Sequence, residues 1–473
     1  MSRAGFQRAI VVGSGPNGLA AAVELARHGM PVRVLESHET IGGGTRSGEL
    51  TLPGFVHDIC SAVHPLAVAS PFYSTLPLTS LGLEWIQPPA SLAHPLDDGT
   101  AVILERSIDD TCTNLGRDAG AYRDLMKPLV DDWQHLISDL LGPLRMPSHP
   151  FTYARFGLRG MLSAHRLATA CFKGERARAL FAGNASHSML SLDQLFSASF
   201  GLVLSAAGHA VGWAIPRGGS QKLADALGSY LRSIGGEIVT GSRVESVDGL
   251  LDAATAVLCD LTPRGLLSVA GDHLPENYRR KLARFRYDVG AFKMDWALNG
   301  PIPWKAEACA RAGTLHLGGT LEEIATSENA ASTGHHAEKP FVILSQPSLF
   351  DASRAPAGKH TAWGYCHVPA GSTFDMTARI EDQIERFAPG FRDCIIHRRV
   401  SPPRELERYN ANLVGGNING GSQDVRQLFL RPTIRLYSTP ASGIYICSAS
   451  TPPGGGVHGM CGYFAAQRVL GDN

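Results

Sequence analysis

At 473 residues, the chain is long enough to bury a large core and to divide into two domains. Its 43 basic and 43 acidic residues cancel, leaving no basic excess for nucleic-acid binding and no acidic tail; the 52 glycines are dispersed, unlike those of a low-complexity chain. The nine cysteines include no Cys-x-x-Cys pair, which argues against a dithiol redox couple and a zinc ribbon and suggests reduced thiols in a cytoplasmic protein.

The first predicted strand, residues 9–12, reads Ala-Ile-Val-Val and starts too early to leave room for a signal peptide. It runs into Gly13-Ser14-Gly15-Pro16-Asn17-Gly18 and then a helix through Leu19, Ala20, Val23, Leu25 and Ala26, with Gly29 as its C-terminal cap. A second strand, 31–35, ends on Glu36. In this order each glycine has a task. Gly13 permits the tight turn, Gly15 lets backbone approach a pyrophosphate, and Gly18 lets helix pack on sheet. The free amides at the helix start attract phosphate. Glu36, 21 residues after Gly15, stands where a carboxylate meets ribose hydroxyls and repels an adenosine 2′-phosphate, so NADP is not expected here. FAD and NAD both remain open on this motif alone.

Residues 75–205 change character, with helical runs over 121–141 and proline-rich breaks at 88–89 and 143–150. The stretch 194–216 carries no formal charge and includes Phe196, Phe200, Leu202, Val203, Leu204 and Trp213. Its length would span a bilayer, but its glycines, serines and His209 favour a buried helix lining an apolar cavity; a surface dipping into a membrane is the alternative. A helix over 223–234 follows, capped by Gly235-Gly236, then strands over 237–240, 243–247 and 254–259. From 285 to 400 strands and helices of a second domain are expected. Residues 444–447 form a last strand, followed by a glycine loop and a helix over 459–470.

Two further glycine clusters separate FAD from NAD. Gly42-Gly43-Gly44-Thr45-Arg46 follows the second strand, and Pro452-Pro453-Gly454-Gly455-Gly456-Val457-His458-Gly459 opens the last helix. A flavin extends far beyond the first turn and needs such backbone cradles; a plain NAD enzyme does not.

With these motifs the sequence resembles the phytoene desaturase-like FAD oxidoreductases of the flavin amine oxidase superfamily, and more closely the branch named pyridine nucleotide-disulfide oxidoreductase domain-containing protein 2. The likeness is carried by residues 11–18 with Glu36, by 42–65, 216–224 and 447–466, and by 415–432. It implies an α/β protein in which a Rossmann-like FAD-binding domain (1–72, 209–275, 411–473) interleaves with an α+β substrate domain (73–208, 276–410). It implies non-covalent FAD, with Gly13, Gly15, Gly18 and Glu36 at the adenosine diphosphate, Gly43 and Arg46 near the flavin side of the pyrophosphate, and Val244 at the adenine. Gly455, Gly456 and Met460 would lie along the ribityl chain and ring. The branch name suggests disulfide reduction, which the missing Cys-x-x-Cys contradicts. A strand meander that many relatives carry after Val244 is trimmed to Asp248-Gly249-Leu250-Leu251-Asp252.

Flavin oxidation needs little beyond a donor carbon held close in a dry pocket. Lys293, on an alternating strand (289–298) with Phe292, Met294 and Trp296 around it, is a candidate for acid–base work, matching a lysine that holds a water near the flavin in amine oxidases; its alternative is an ion pair with Asp295. His64 and His458 are candidates beside it, each with a structural alternative. No metal-binding spacing appears, and no metal is predicted. The expected function is hydride abstraction from a small or apolar organic substrate, giving a desaturated or imine product. A flavin amine oxidase, an NADPH-dependent saturase or isomerase and a non-catalytic flavin-holding protein are the alternatives. The expected partners are a small-molecule substrate and no nucleic acid.

Overall fold

The computed structural model describes residues 8–472. Its nucleotide sheet has five strands, all parallel, in the order Ile444–Ile446, Ala256–Cys259, Ala9–Val12, Val32–Leu35, Glu237–Val239. They come from three separated stretches of chain. The strands Ala9–Val12 and Ala256–Cys259 are buried throughout, as uniformly apolar runs must be when both sheet faces are covered. The first helix, Pro16–Arg27, has proline in its first turn and Gly29 in a left-handed conformation just past its end. It packs against Gln221–Ser233 and Met460–Asp472.

Register aligns the carboxyl ends of these strands. Val12 lies opposite both Leu35 and Cys259, and Cys259 lies opposite Ile446. Gly13, Glu36, Asp260 and Cys447 therefore leave the sheet at one level, along the edge where open α/β sheets bind ligands.

The second sheet has seven strands, ordered Ile395–Ser401, Val289–Leu298, His360–Pro369, Val342–Ser345, Ala312–Leu317, Ala90–Pro95, Ala101–Leu104. All neighbours are antiparallel except Ala312–Leu317 with Ala90–Pro95. Helices between residues 108 and 210 cover part of it. The helical run over 121–141 is two helices, Ala119–Asp131 and Trp133–Leu140, broken at Asp132. The uncharged stretch 194–216 forms the helix Ser197–Ala210, and among the described residues no helix is long and apolar enough to cross a membrane.

One expected element is absent. Residues 243–247 form no strand. Glu237–Val239 is the sheet edge, Gly241 turns the chain with φ +62°, and the Val247 amide donates to the Val269 carbonyl instead of to a neighbouring strand. Alternation alone cannot make a strand where no partner edge is offered. The trimmed segment is a short helix, Asp248–Ala253, that leads into Ala256–Cys259.

Candidate cofactor and substrate site

A continuous cavity of about 890 Å³ runs from the glycine turn of the first strand to the face of the seven-stranded sheet. Gly13, Gly15, Glu36, Gly43, Arg46, His64, Lys293, Gly455, Gly456 and His458 all line it. The cavity thus gathers predicted residues from both ends of the chain and from the middle. Gly18, Val244 and Met460 lie outside its wall: Val244 packs in a cluster with Val12 and Cys259, its neighbour Arg243 reaching the cavity, and Met460 is buried at the start of the last helix.

The nucleotide end is made of backbone. A side chain on Gly15 would place Cβ 2.6 Å from Asp260 Oδ2, and one on Gly43 would place it 2.9 Å from the Gly15 Cα. A Cβ on Gly18 would overlap the Gly13 carbonyl oxygen, which is why helix and sheet can meet there only through glycine. Glu36 sits beneath the turn. Its Oε2 accepts the Ser14 amide (2.9 Å) and hydroxyl (2.5 Å), while Oε1 accepts the His38 amide (2.9 Å) and pairs with Arg46 Nη2 at 3.0 Å. Burial works against its charged form, but the hydrogen bonds and Arg46 outweigh it and hold the carboxyl below the usual range. Arg46 also donates from Nε to the Thr40 carbonyl, so in this structure it is engaged on the Glu36 side of the turn.

Asp260 had no role in the sequence reading. It is buried at the cavity wall and its Oδ2 accepts the Gly18 amide at 3.0 Å, occupying the helix start that attracts anions. Burial, with the Glu36 charge nearby, pushes its carboxyl up to about 7. The signal for it was its place directly after a buried strand that pairs in register with the first.

The inner end is made of side chains. Strand alternation puts Ala291, Lys293 and Asp295 on one face of Val289–Leu298 and Phe292, Met294 and Trp296 on the other, in the core beneath the sheet. The apolar neighbours that singled Lys293 out in the sequence therefore point away from it. The residue sharing its face is Asp295, which receives Nζ on both oxygens at 2.5 and 2.6 Å. Burial raises the Asp295 carboxyl, partly offset by Lys293. His57 Nδ1 lies 3.6 Å from the same carboxylate, but burial and the Lys293 and Arg354 charges push it down to about 3. On the neighbouring strand Trp363 and Tyr365 stack at 5.8 Å, 13° from parallel, and Lys293 Nζ lies 5.5 Å from the Trp363 ring. This aromatic floor also escaped the sequence reading.

The two histidines differ. His458 Nδ1 accepts the Met460 amide at 3.0 Å, tying the glycine loop to the last helix. His64 Nε2 lies 2.7 Å from Ser220 Oγ, whose single proton goes to the Ser61 carbonyl at 2.7 Å. His64 therefore donates from Nε2 and keeps a bare, unpartnered Nδ1 beside the cavity. Burial pushes both imidazoles down to about 4, so both are neutral at pH 7. The nine cysteines are all free; burial pushes Cys60, which lines the cavity, and Cys461, whose Sγ donates to the Gly454 carbonyl of the glycine loop, up to about 11, out of the range of thiolate chemistry.

A dinucleotide turn that continues into a second glycine cradle and ends at an apolar, aromatic-floored chamber defines the class: an FAD-dependent oxidoreductase of two interleaved domains. Comparison with known proteins agrees. Residues 11–73 match an NAD(P)-binding Rossmann-like domain. The chain is 26% identical to the rat protein named pyridine nucleotide-disulfide oxidoreductase domain-containing protein 2, over 98% of this chain and 93% of that one. It is 23% identical to a limonene dehydrogenase polypeptide of Castellaniella defragrans (98% and 94%) and 24% identical to the lycopene-forming phytoene desaturase of Pantoea ananas (97% and 98%). Solved structures share the fold: an oxidoreductase from Methanosarcina mazei with TM-score 0.66 and 16% identity (98% and 100%), and cyclohexylamine oxidase from Brevibacterium oxydans with TM-score 0.59 and 16% identity (99% and 99%). The likeness to phytoene desaturase-like FAD oxidoreductases thus extends along the whole chain, as its motifs imply.

Proposed function

We propose that the protein dehydrogenates an apolar, unsaturated organic substrate with bound FAD. The observation that carries this reading is the charge state of the inner chamber. Of the carboxylates lining the cavity, Glu36 and Asp260 belong to the nucleotide end and Asp139 accepts the Ser148 and His149 amides, while Asp295, buried behind the wall, is held through both oxygens by Lys293. None is left to receive a substrate ammonium group. The walls are supplied by Phe156, Met161, Phe196, Phe200, Val203 and Leu204. An amine substrate would be desolvated there without a counter-charge, whereas a hydrocarbon fits the lining. The names of the limonene and phytoene relatives point the same way.

FAD fits the cradle: the positions at which a Cβ would fill the turn, Gly15 and Gly43, are glycine, and Gly455 and Gly456 line the far side. Gly13 and Gly15 would hold the pyrophosphate, with Gly18 keeping the helix close behind them, Glu36 the ribose, Arg46 and Gly43 the middle, and Gly455 and Gly456 the flavin portion, with Arg243 beside Val244 nearest the adenine. When bound, FAD supplies the hydride acceptor. The chain's own residues position the donor carbon against it and keep water out. Trp363 and Tyr365 offer the flat floor on which an unsaturated chain lies, the Lys293–Asp295 pair fixes that floor, and His64 Nδ1 is the open acceptor for a proton.

Anaerobic mixing of the holoprotein with a panel of unsaturated hydrocarbons and primary amines tests this. Bleaching of the flavin band by hydrocarbons and not by amines is expected. Faster bleaching by amines would replace the reading with an amine oxidase, and purified protein that takes up no FAD would end both.

A further inference from the structure

We propose that the inner end of the cavity holds a hydrogen-bonding subsite for one uncharged carbonyl oxygen, so that the unsaturated substrate carries a ketone or an aldehyde. The cavity face of the seven-stranded sheet is not wholly apolar. Register places His316, Tyr365 and Lys293 in one row across the strands, and Thr314, Trp363 and Asp295 in the next. Lys293 and Asp295 engage each other. Thr314 and Tyr365 both line the cavity and stay outside that pair. Thr314 Oγ1 is buried without a hydrogen-bond partner, and the Tyr365 hydroxyl has none among the described residues.

A histidine pair adds a third group. His187 stands in the single helical turn Ser186–Ser188 and lines the cavity beside Trp213, its ring edge-on to the indole at 5.6 Å. Its Nε2 lies 2.9 Å from His316 Nε2. Burial pushes the His187 imidazole down to about 3 and holds His316 well below its ordinary value, so both rings are neutral and one proton lies between them. The surroundings of His316 decide whose it is. Its Nδ1 is buried without a partner and packs on Gly183, where an added Cβ would stand 2.5 Å away, so a proton there would meet no acceptor. His316 therefore carries its proton on Nε2 and donates it to His187, whose own proton is driven to Nδ1, the nitrogen left for the cavity. Three neutral donors, from His187, Tyr365 and Thr314, thus edge the inner chamber. An oxygen that only accepts, through two lone pairs, matches such a set. A carboxylate finds no free cation there, because Lys293 is already matched by Asp295. A hydrocarbon of the same outline enters the same chamber but leaves the donors unpaired.

The proposal rests on the apolar-substrate reading and names the polar end of that substrate. The probes are limonene, carveol and carvone, which share one carbon skeleton and carry no oxygen, a hydroxyl and a ketone. Each is titrated anaerobically into oxidised holoprotein, with Kd read by calorimetry. Carvone should bind at least about tenfold more tightly than limonene, with carveol between them. Tyr365→Phe and Thr314→Val each remove a hydroxyl and little else; each should weaken carvone about three- to tenfold and leave limonene unchanged. His187→Leu should bring carvone down to the affinity of limonene, and His187→Gln, which keeps an N–H, should restore part of the difference. If the His187 variants do not fold, the two hydroxyl deletions still decide. Equal binding of carvone and limonene overturns the proposal and leaves the apolar-substrate reading standing; carveol binding more tightly than carvone overturns the donor assignment, as do hydroxyl deletions that both bind carvone like the wild type. Binding of none of the three ends the apolar-substrate reading and this proposal with it.

Discussion

The two ends of the cavity are built from different materials. At the nucleotide end contacts are made by backbone amides and by glycines whose missing side chains leave room, with Glu36 and Asp260 beneath them. At the inner end everything is side chain: a buried ion pair, two stacked aromatics and a wall of apolar residues drawn from distant segments. A backbone site tolerates almost no change in volume, because its neighbours cannot move. A side-chain site can be repacked, but its buried charges cannot be separated.

The sharpest break in this comparison lies at the inner end. Lys293→Met leaves Asp295 buried with His57 3.6 Å away, and burial keeps His57 neutral. Breaking such a pair costs about 3–5 kcal/mol. Thermal unfolding should show that loss, and stopped-flow mixing should show much slower flavin reduction. Lys293→Met/Asp295→Leu should recover most of the stability and little of the rate. If the double variant regains both, the pair is structural only.

At the nucleotide end the largest effect comes from Asp260, whose carboxyl titrates near 7 in the fold against 3.8 as its ordinary value. Between these values the folded chain keeps a proton that the unfolded chain has lost. Stability therefore falls as pH rises from about 4 to about 7, by roughly 4 kcal/mol in full. Asp260→Asn removes that fall. His57, His64 and His458 act with the opposite sign, costing stability as pH drops from 6.5 towards 4, but they are common to both chains and cancel. Denaturant midpoints at about pH 5 and about pH 8 give the difference, and parallel profiles would show Asp260 to be an ordinary carboxylate. FAD affinity should follow the same titration, falling above pH 7 in the wild type and staying level in the variant.

The contrast also explains what could be read from the chain. Gly13 to Gly18, Glu36 and the two later glycine clusters were legible because backbone recognition demands glycine at fixed spacing after a strand. Asp295 was legible as the ion-pair alternative for Lys293, but Trp363 and Tyr365 were not, because they join the site only when Val289–Leu298 pairs with His360–Pro369, placing Asp295 opposite Trp363 and Lys293 opposite Tyr365. Lys293 was found for a faulty reason: its apolar sequence neighbours lie on the other face of the strand. Gly462 was missed although it is as constrained as the motif glycines, since its Cβ would overlap the Asn17 carbonyl oxygen where the first and last helices cross. Nothing local marks a glycine whose obstacle is 445 residues away. Gly462→Ala should cost stability at the upper end of the overpacking range of about 1–3 kcal/mol, with loss of bound FAD on gel filtration.

The smallest effect is the most discriminating. Gly44 sits in the middle of the second glycine cluster, yet the nearest atom to an added Cβ is the Cys60 Cβ at 4.0 Å, an ordinary contact. On protein grounds Gly44→Ala is nearly free, and apoprotein stability should change by less than about 0.5 kcal/mol. Gly44 lines the cavity, however, so an added methyl would project where a cofactor lies against the backbone. Titration of apoprotein with FAD should then show about tenfold weaker binding at unchanged Tm. Unchanged affinity would mean that this glycine serves neither packing nor cofactor, and that the backbone cradle ends at Gly43, whose Cβ would already stand 2.9 Å from the Gly15 Cα.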